Sequence, residues 1–259
     1  MLSEMDTRVS YAAGIPSWVD VGVADIPQAI AFYEALFGWA RESEPNPEFG
    51  GYTVMTQQGK RVAGISPKGD PNDPNTANMP DYWGVSIAVD DTEATVAKVE
   101  RAGGRVIYGA MPVGDLGVMA VIQDTQDTFV TMWQAGSHPG CELVNTPNSF
   151  VWNELATSNL RGSAEFYSRV FGMAIDSRRI DDGSVGFYVG GNVVCGAHAL
   201  RDDEFPAWSV WFAVADVDAM AGRVCDLGGS VFTAPFDTEW GRSAILAAPG
   251  GAVFGIVKV

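Results

Sequence analysis

Apolar residues recur along this chain first with the spacing of a strand and then with the spacing of a helix. From Ser17 to Val23, apolar and more polar positions alternate, which is typical of a half-buried strand. Asp25 then stands where a helix N-cap is expected, and apolar residues follow at helical spacing from Ile30 to Phe37, up to Gly38. Two further alternating runs surround the turn at Gln58-Gly59. The pattern therefore predicts a strand, a helix and then further strands.

The same pattern returns three more times. The stretch from Trp18 to Trp39 is repeated from Trp152 to Met173, 134 residues later, and the block that begins at Trp83 is repeated from Trp208, 125 residues later. A repeat of this kind fixes the architecture. We expect an α+β fold of four βαβββ modules, spanning residues 14–67, 82–134, 149–201 and 206–259. The remaining helices are predicted at Asp91–Ala102, Leu160–Val170 and Val217–Leu227.

These modules group into two halves, 14–134 and 149–259, separated by segment 135–148, which has the composition of a linker. A chain that carries both halves can pair all four modules by itself, so we expect a monomer or a homodimer. The cavity of each half would depend on loops such as Asn72–Met79 and Phe236–Arg242.

Composition narrows the possible partners. The chain has 259 residues, 47% of them hydrophobic, and a formal net charge of −16. Nucleic acids and anionic membranes are bound by clustered Lys and Arg, so neither is an expected partner. The N-terminus has no apolar core of a signal peptide, and no apolar run is long enough to span a bilayer. With three cysteines and no C-x-x-C pair, a reduced, cytoplasmic protein is expected.

Three stretches carry a family resemblance: "VADIPQAIAFYEALFGW", "IAVDDTEATVAKVERAGG" and "APFDTEWGRSAILAAPGGAVFGI". With the paired modules, they resemble the vicinal oxygen chelate superfamily, which includes glyoxalase I, bleomycin-resistance proteins and extradiol dioxygenases. The order and length are similar to those of two-domain, glyoxalase-like proteins of actinobacteria. The resemblance implies that two modules pair into one domain, whose sheet forms an open, U-shaped barrel with a ligand on its concave face.

The resemblance also implies where a metal would be bound, and this chain departs from the family there. In the family, a metal ligand stands on the first strand of a module, seven residues before the residue that precedes the helix. In this chain the four corresponding positions are Trp18, Gly84, Trp152 and Ser209. The ligand Glu of the last strand corresponds to Thr131 and Gly255. Trp and Gly offer no side-chain lone pair to a metal, and hydroxyl groups are poor ligands for Zn, Ni or Fe(II). The chain has only two histidines, His138 and His198. We therefore expect neither a metal nor another cofactor.

Strand alternation instead predicts one carboxylate on each concave face. Asp20 lies two residues after Trp18, and Glu154 lies two residues after Trp152 at the equivalent place in the second half. Either carboxylate could be a general base whose pKa is raised by apolar surroundings, with His198 as a further proton carrier. Alternatively, each accepts hydrogen bonds from the backbone or from Trp N–H groups and holds the open barrel together.

Aromatic and hydroxyl side chains are the expected ligand contacts. A ligand-binding role is predicted for Trp18, Tyr52, Ser86, Trp133, Trp152, Ser209, Trp211 and Trp240. Large aromatic residues at repeated positions are often core, so some of these tryptophans would pack rather than bind. Trp240 is replaced by Leu116 in the first half, as His198 is by Ser66, and such differences between copies mark candidates for function.

Two main hypotheses follow for the function. The first is a metal-independent protein that binds a hydrophobic, aromatic metabolite, with a role in resistance or secondary metabolism. The second is a lyase, isomerase or cyclase on the same scaffold, in which a cavity carboxylate moves a proton. A metal-dependent glyoxalase or dioxygenase is the third, and it requires a different register of the family positions.

Overall fold

The computed structural model describes residues 6–45, 47, 50–69, 80–202 and 204–259. The predicted loop Asn72–Met79 lies outside the described residues. In the described part, the strands are β1 Asp6–Thr7, β2 Pro16–Val23, β3 Ala40–Arg41, β4 Thr53–Gln57, β5 Lys60–Pro67, β6 Tyr82–Ala88, β7 Arg105–Val113, β8 Gly117–Gln123, β9 Phe129–Ala135, β10 Leu143–Val144, β11 Phe150–Thr157, β12 Ala174–Ile175, β13 Ser184–Val189, β14 Asn192–Ala199, β15 Ala207–Val214, β16 Ser230–Thr238, β17 Gly241–Ala247 and β18 Val253–Lys258. The α-helices are α1 Ile26–Phe37, α2 Thr92–Val99, α3 Leu160–Phe171 and α4 Val217–Asp226.

The α-helices begin where the sequence places their caps. The Asp25 carboxylate accepts a hydrogen bond from the backbone N–H of Gln28 at 3.0 Å, which confirms the predicted N-cap of α1. Equivalent bonds at Asp91, Asn159 and Asp216 begin α2, α3 and α4. Gly38 ends α1 in the left-handed conformation, with φ of 72°.

The strands form two sheets of the same topology. The first half has the strand order β3-β4-β5-β2-β6-β9-β8-β7, and the second has β12-β13-β14-β11-β15-β18-β17-β16. The first strands of the two modules, β2 and β6, lie antiparallel at the centre, with β5 and β9 parallel to them on either side. β11 and β15 are arranged in the same way between β14 and β18. This arrangement confirms the α+β fold of four modules paired into two open, U-shaped sheets.

Each sheet has one buried face and one concave face. Val19 and Val21 of β2 are fully buried, whereas Asp20 between them reaches the concave side. The buried faces of the two halves meet through aromatic rings: the centroids of Trp83 and Phe212 lie 5.0 Å apart. Trp83 is therefore core, as expected for some of the repeated tryptophans. The concave faces remain as the surfaces on which a ligand could be bound.

The linker 135–148 packs tightly against both halves. Cys141 is fully buried, and its backbone N–H donates to the Ser17 carbonyl at 2.7 Å. The backbone N–H of Glu142 donates to the Arg61 carbonyl, also at 2.7 Å. Strand β10 then pairs with β11 of the second half and with β1 near the N-terminus. The segment is thus packed against the first half as well as connecting it to the second.

None of the helices in the described residues is both long and apolar enough to cross a membrane.

Candidate functional site

The concave face of the first half holds a carboxylate without a charged neighbour. Asp20 is directly opposite Gly64 on β5 and Gly84 on β6, so neither adjacent strand places a side chain beside it. It takes part in none of the ion pairs among the described residues. Burial raises the pKa of Asp20 to about 6, although its own backbone N–H opposes the shift. The carboxylate is therefore uncompensated when it is ionised.

Tyrosine hydroxyls surround this carboxylate. The phenol of Tyr52 lies across Gly64 and accepts a hydrogen bond from Trp18 Nε1 at 2.8 Å. Burial, followed by the charge of Asp20, raises the pKa of both Tyr52 and Tyr82. Both phenols are therefore neutral at pH 7, and each has a proton that it can donate.

The predicted contacts Trp18, Ser86 and Trp133 do lie on this face, but all three are buried. For the two tryptophans the reason is His138, whose ring packs edge-on against Trp18, with centroids 4.4 Å apart, and also contacts Trp133. Trp133 Nε1 donates to the His138 carbonyl at 2.9 Å. His138 thus packs against both indoles, which leaves Trp18 and Trp133 little surface for a ligand.

His138 itself is a neutral, structural histidine. Its Nδ1 lies 3.2 Å from a guanidinium nitrogen of Arg61, which can only donate a hydrogen bond. Burial, helped by this positive charge, lowers the pKa of His138 to about 4. Sequence reasoning assigned His138 to the linker and missed its place in the cavity. Its separation of 77 residues from Arg61 leaves no local signal for the contact.

The second half places a charged chain of three side chains on its concave face. His198 Nδ1 lies 3.2 Å from Glu154 Oε1, and His198 Nε2 lies 3.0 Å from Glu204 Oε2. A carboxylate only accepts hydrogen bonds, so both imidazole nitrogens donate and the ring is an imidazolium. The bond to Glu154 is the main cause that raises the pKa of His198, and Glu204 adds to it. Two predicted catalytic residues, Glu154 and His198, are thus brought together.

Glu204 is the member of this chain that the sequence did not reveal. It lies on the loop after β14 and accepts the backbone N–H of Arg201 at 2.9 Å. Burial alone would raise its pKa, but the bonds from Arg201 and His198 lower the pKa of Glu204 overall. The i, i+6 spacing from His198 is the only sequence signal, and it is common to many unrelated pairs.

Tryptophan and serine complete this second site. Trp152 Nε1 lies 3.4 Å from Glu154 Oε2, and Trp211 Nε1 donates to Ser209 Oγ at 3.1 Å. Both indoles are half-buried, so each exposes part of its ring on the concave face. The predicted Trp–carboxylate contact therefore occurs at Glu154, which combines it with the His198 pair.

Trp240 does not take part in the contacts described above. It is at the tip of the β16–β17 hairpin, where 80% of its surface is exposed and its backbone N–H donates to Thr238 Oγ1. The structure thus gives it an exposed indole in the loop Phe236–Arg242.

The metal-ligand positions of the fold family do not fit a metal here. In the second half the predicted positions Trp152 and Gly255 stand in one row across the sheet, but the residue of β15 in that row is Trp211, not the predicted Ser209. The Trp211 ring lies over Gly255, so that a Cβ at this position would collide with the indole. The corresponding row of the first half is Trp18, Ser86 and Thr131, with Ser86 in place of the predicted Gly84, which pairs with Asp20. Among the described residues, no three His, Cys, Asp or Glu side chains are grouped to hold a metal.

Two family models match the chain. Residues 15–131 match the model described as "Glyoxalase/Bleomycin resistance protein/Dioxygenase superfamily". Residues 152–257 match a glyoxalase-like domain. The two matches correspond to the two halves of the fold.

Curated relatives match over nearly the full length. The chain is 38% identical over 261 residues to "Putative glyoxylase CFP32" of Mycobacterium tuberculosis, covering 98% of each protein. It is 36% identical over 266 residues to the anthracycline biosynthesis protein DnrV of Streptomyces peucetius, covering 96% of this chain and 94% of that one.

Solved structures share the fold at low identity. The Mn(II)-bound glyoxalase from Novosphingobium aromaticivorans aligns with a TM-score of 0.65 and 16% identity, covering 95% of this chain and 82% of that one. The 2,3-dioxygenase LapB from Pseudomonas sp. KL28 aligns with a TM-score of 0.62 and 13% identity, covering 96% of this chain and 94% of that one.

Proposed function

Because the chain belongs to the glyoxalase/bleomycin resistance protein/dioxygenase superfamily, we propose that its second half binds an aromatic small molecule without a metal ion. The observation that carries this proposal is the Trp211 indole, which covers Gly255 where the family pattern places a ligand carboxylate. An aromatic surface thus takes the place of a metal donor. Aromatic walls stack flat ligands.

The polar groups of the second site indicate what such a ligand would carry. Glu154 is half-buried and accepts hydrogen bonds, and the His198 ring, 3.2 Å from its Oε1, holds the side chain in place. A phenolic O–H on the ligand would find its acceptor there. The similarity to DnrV and to a second anthracycline biosynthesis protein fits a role in secondary metabolism. We therefore extend the proposal to planar, hydroxylated polycyclic aromatics.

The test combines metal analysis with a ligand titration. Protein purified without an affinity tag is expected to contain no stoichiometric transition metal and to bind alizarin, a hydroxyanthraquinone, as followed by absorbance. Trp211→Ala removes the indole and is expected to weaken binding about fivefold, because stacking contributes on the order of 1 kcal/mol. Tyr108→Ala, an exposed aromatic change in the first half, is the matched control and leaves this affinity unchanged. A stoichiometric metal, or unchanged binding by Trp211→Ala, would overturn the proposal.

The Glu154–His198–Glu204 chain favours a second candidate, a lyase, isomerase or cyclase that works by proton transfer. Glu154 would take a proton from a bound substrate, and the His198 imidazolium would hold the carboxylate in position throughout. A binding protein returns its ligand unchanged, whereas an enzyme loses turnover in Glu154→Gln and keeps its affinity. If both Glu154→Gln and Asp20→Asn leave a measured turnover intact, neither carboxylate is the base.

A further inference from the structure

The Asp20 carboxylate has no cation paired with it among the described residues. Its two cross-strand neighbours are Gly64 and Gly84, and no ion pair of the described residues includes it. Placing an ionised group in apolar surroundings is unfavourable unless a charge of the opposite sign accompanies it. The Tyr52 hydroxyl occupies the place that a side chain at Gly64 would fill, and the Asp20 carboxylate itself lies over Gly84.

Exposed aromatic rings form the rest of this surface. Tyr82 on β6, Tyr108 on β7 and Phe129 on β9 are 42%, 61% and 50% exposed. Tyr82 is directly opposite Gly22, two residues from Asp20 on the same face. Phe129 lies two residues before Thr131, the partner of Ser86, and is therefore on the concave side. The electron-rich faces of such rings attract cations.

We propose that the concave face of the first half is a second ligand site, which binds a hydrophobic amine whose ammonium group pairs with Asp20 and whose apolar body lies against Tyr82 and Phe129. The net charge of −16 raises the local concentration of cations around the protein and favours the same class of ligand. This site is separate from that of the proposed function, and either can fail without the other.

The second half shows why the inference applies to the first half alone. Glu154, the counterpart of Asp20, already has the His198 imidazolium at 3.2 Å. Arg201 lies 3.7 Å from Glu204, so two cations accompany the two carboxylates of this chain, and an ammonium ligand would find no uncompensated charge there. His138, in turn, closes the end of the first cavity against Trp18, so a ligand of the first half would lie on the open part of the sheet.

Affinity for the amine should depend on pH in a defined direction. The titratable groups that face Asp20 are the phenols of Tyr52 on the β4 side and Tyr82 on β6, since β5 presents Gly64 and Ser66. Both phenols stay neutral up to well above pH 8. The ammonium pairs only with the ionised carboxylate, so affinity is expected to fall as the pH falls through about 6.

The experiment compares three probes that share one aromatic body: naphthylmethylamine, naphthylmethanol and naphthoate. Calorimetry on the full-length protein at pH 8 is expected to give the amine an affinity about tenfold higher than that of the alcohol, with no measurable binding of naphthoate. Asp20→Asn is expected to remove this tenfold preference and to leave the alcohol unchanged.

Controls separate a specific site from general attraction to an acidic protein. Asp226→Asn removes one exposed carboxylate from the end of α4 and is expected to leave the amine affinity unchanged. A loss in Asp226→Asn equal to that in Asp20→Asn would overturn the proposal. Equal affinity for amine and alcohol would do the same, as would the absence of binding by all three probes. Failure of alizarin to bind, by contrast, bears only on the second half.

Discussion

The two halves of this molecule place a carboxylate at the same point of the same fold and give it opposite surroundings. Asp20 and Glu154 occupy equivalent positions on β2 and β11. Asp20 faces glycine on both sides, whereas Glu154 reaches His198 on β14, where the first half has Ser66. Together with Glu204, the exchange of Ser66 for His198 therefore makes the second carboxylate one arm of an ion-paired chain. The fold determines where the carboxylate stands, and its neighbours determine whether a cation accompanies it.

The closed ends of the cavities differ as well. In the first half His138 packs against Trp18 and Trp133, and both indoles are buried. Trp152 and Trp211 in the second half remain half-buried, with part of each ring open to a ligand. The same sheet thus yields a shallow aromatic surface in one half and an accessible indole pair in the other.

The largest expected effect comes from removing the ring that closes the first cavity. His138→Ala deletes a buried side chain between two indoles and should lower the free energy of unfolding by about 2–4 kcal/mol. Urea denaturation measures this change. Ser137→Ala, one residue earlier and exposed, is the control and should stay within about 0.5 kcal/mol. A loss below that limit for His138→Ala would show that the ring does not support the two indoles.

The same change of carboxylate to amide should have opposite signs in the two halves. Glu154→Gln leaves His198 with one carboxylate in place of two, and should lower the free energy of unfolding by about 1–2 kcal/mol. Asp20→Asn removes an uncompensated charge. The pKa of Asp20 is about 6 in the fold, against an ordinary value of 3.8, so Asp20→Asn should raise the free energy of unfolding by about 1–2 kcal/mol at pH 8, where solvent partly screens the half-buried carboxylate.

The gain from Asp20→Asn has a defined pH window. A carboxyl whose pKa is raised by folding contributes full stability below its unfolded pKa, and this contribution is lost as the pH rises through the folded value. The stability of the unmodified protein relative to Asp20→Asn should therefore decline between about pH 4 and pH 6. Denaturation of both proteins at several pH values checks this. A constant difference across the window would contradict the raised pKa.

The smallest effect is expected at Trp240. Its side chain is largely exposed at the hairpin tip, so Trp240→Ala should change the free energy of unfolding by less than about 0.5 kcal/mol. Thermal unfolding is sufficient to check this. A larger loss would place the indole in a contact that the structure does not show.

The sequence predicted what local chemistry and repetition determine. Alternation around Trp18 and Trp152 put Asp20 and Glu154 on concave faces, and Asp25 marked the start of α1. Alternation predicts which face of the sheet a side chain lies on, but it does not predict how deeply the side chain is buried. Burial depends on residues that are distant in the sequence. Trp18 is buried by His138, which lies 120 residues away. Glu204 was missed for a related reason: only the fold of its loop brings it to His198.

The most direct test of the difference between the two halves is the titration of the Asp20 carboxyl carbon by NMR, assigned by comparison with Asp20→Asn. We expect a midpoint near pH 6 in the free protein, moved to lower pH when naphthylmethylamine is bound, because the ammonium stabilises the carboxylate. A midpoint at or below the ordinary aspartate value of 3.8 in the free protein would mean that Asp20 is already compensated. The two halves would then not differ in the way described.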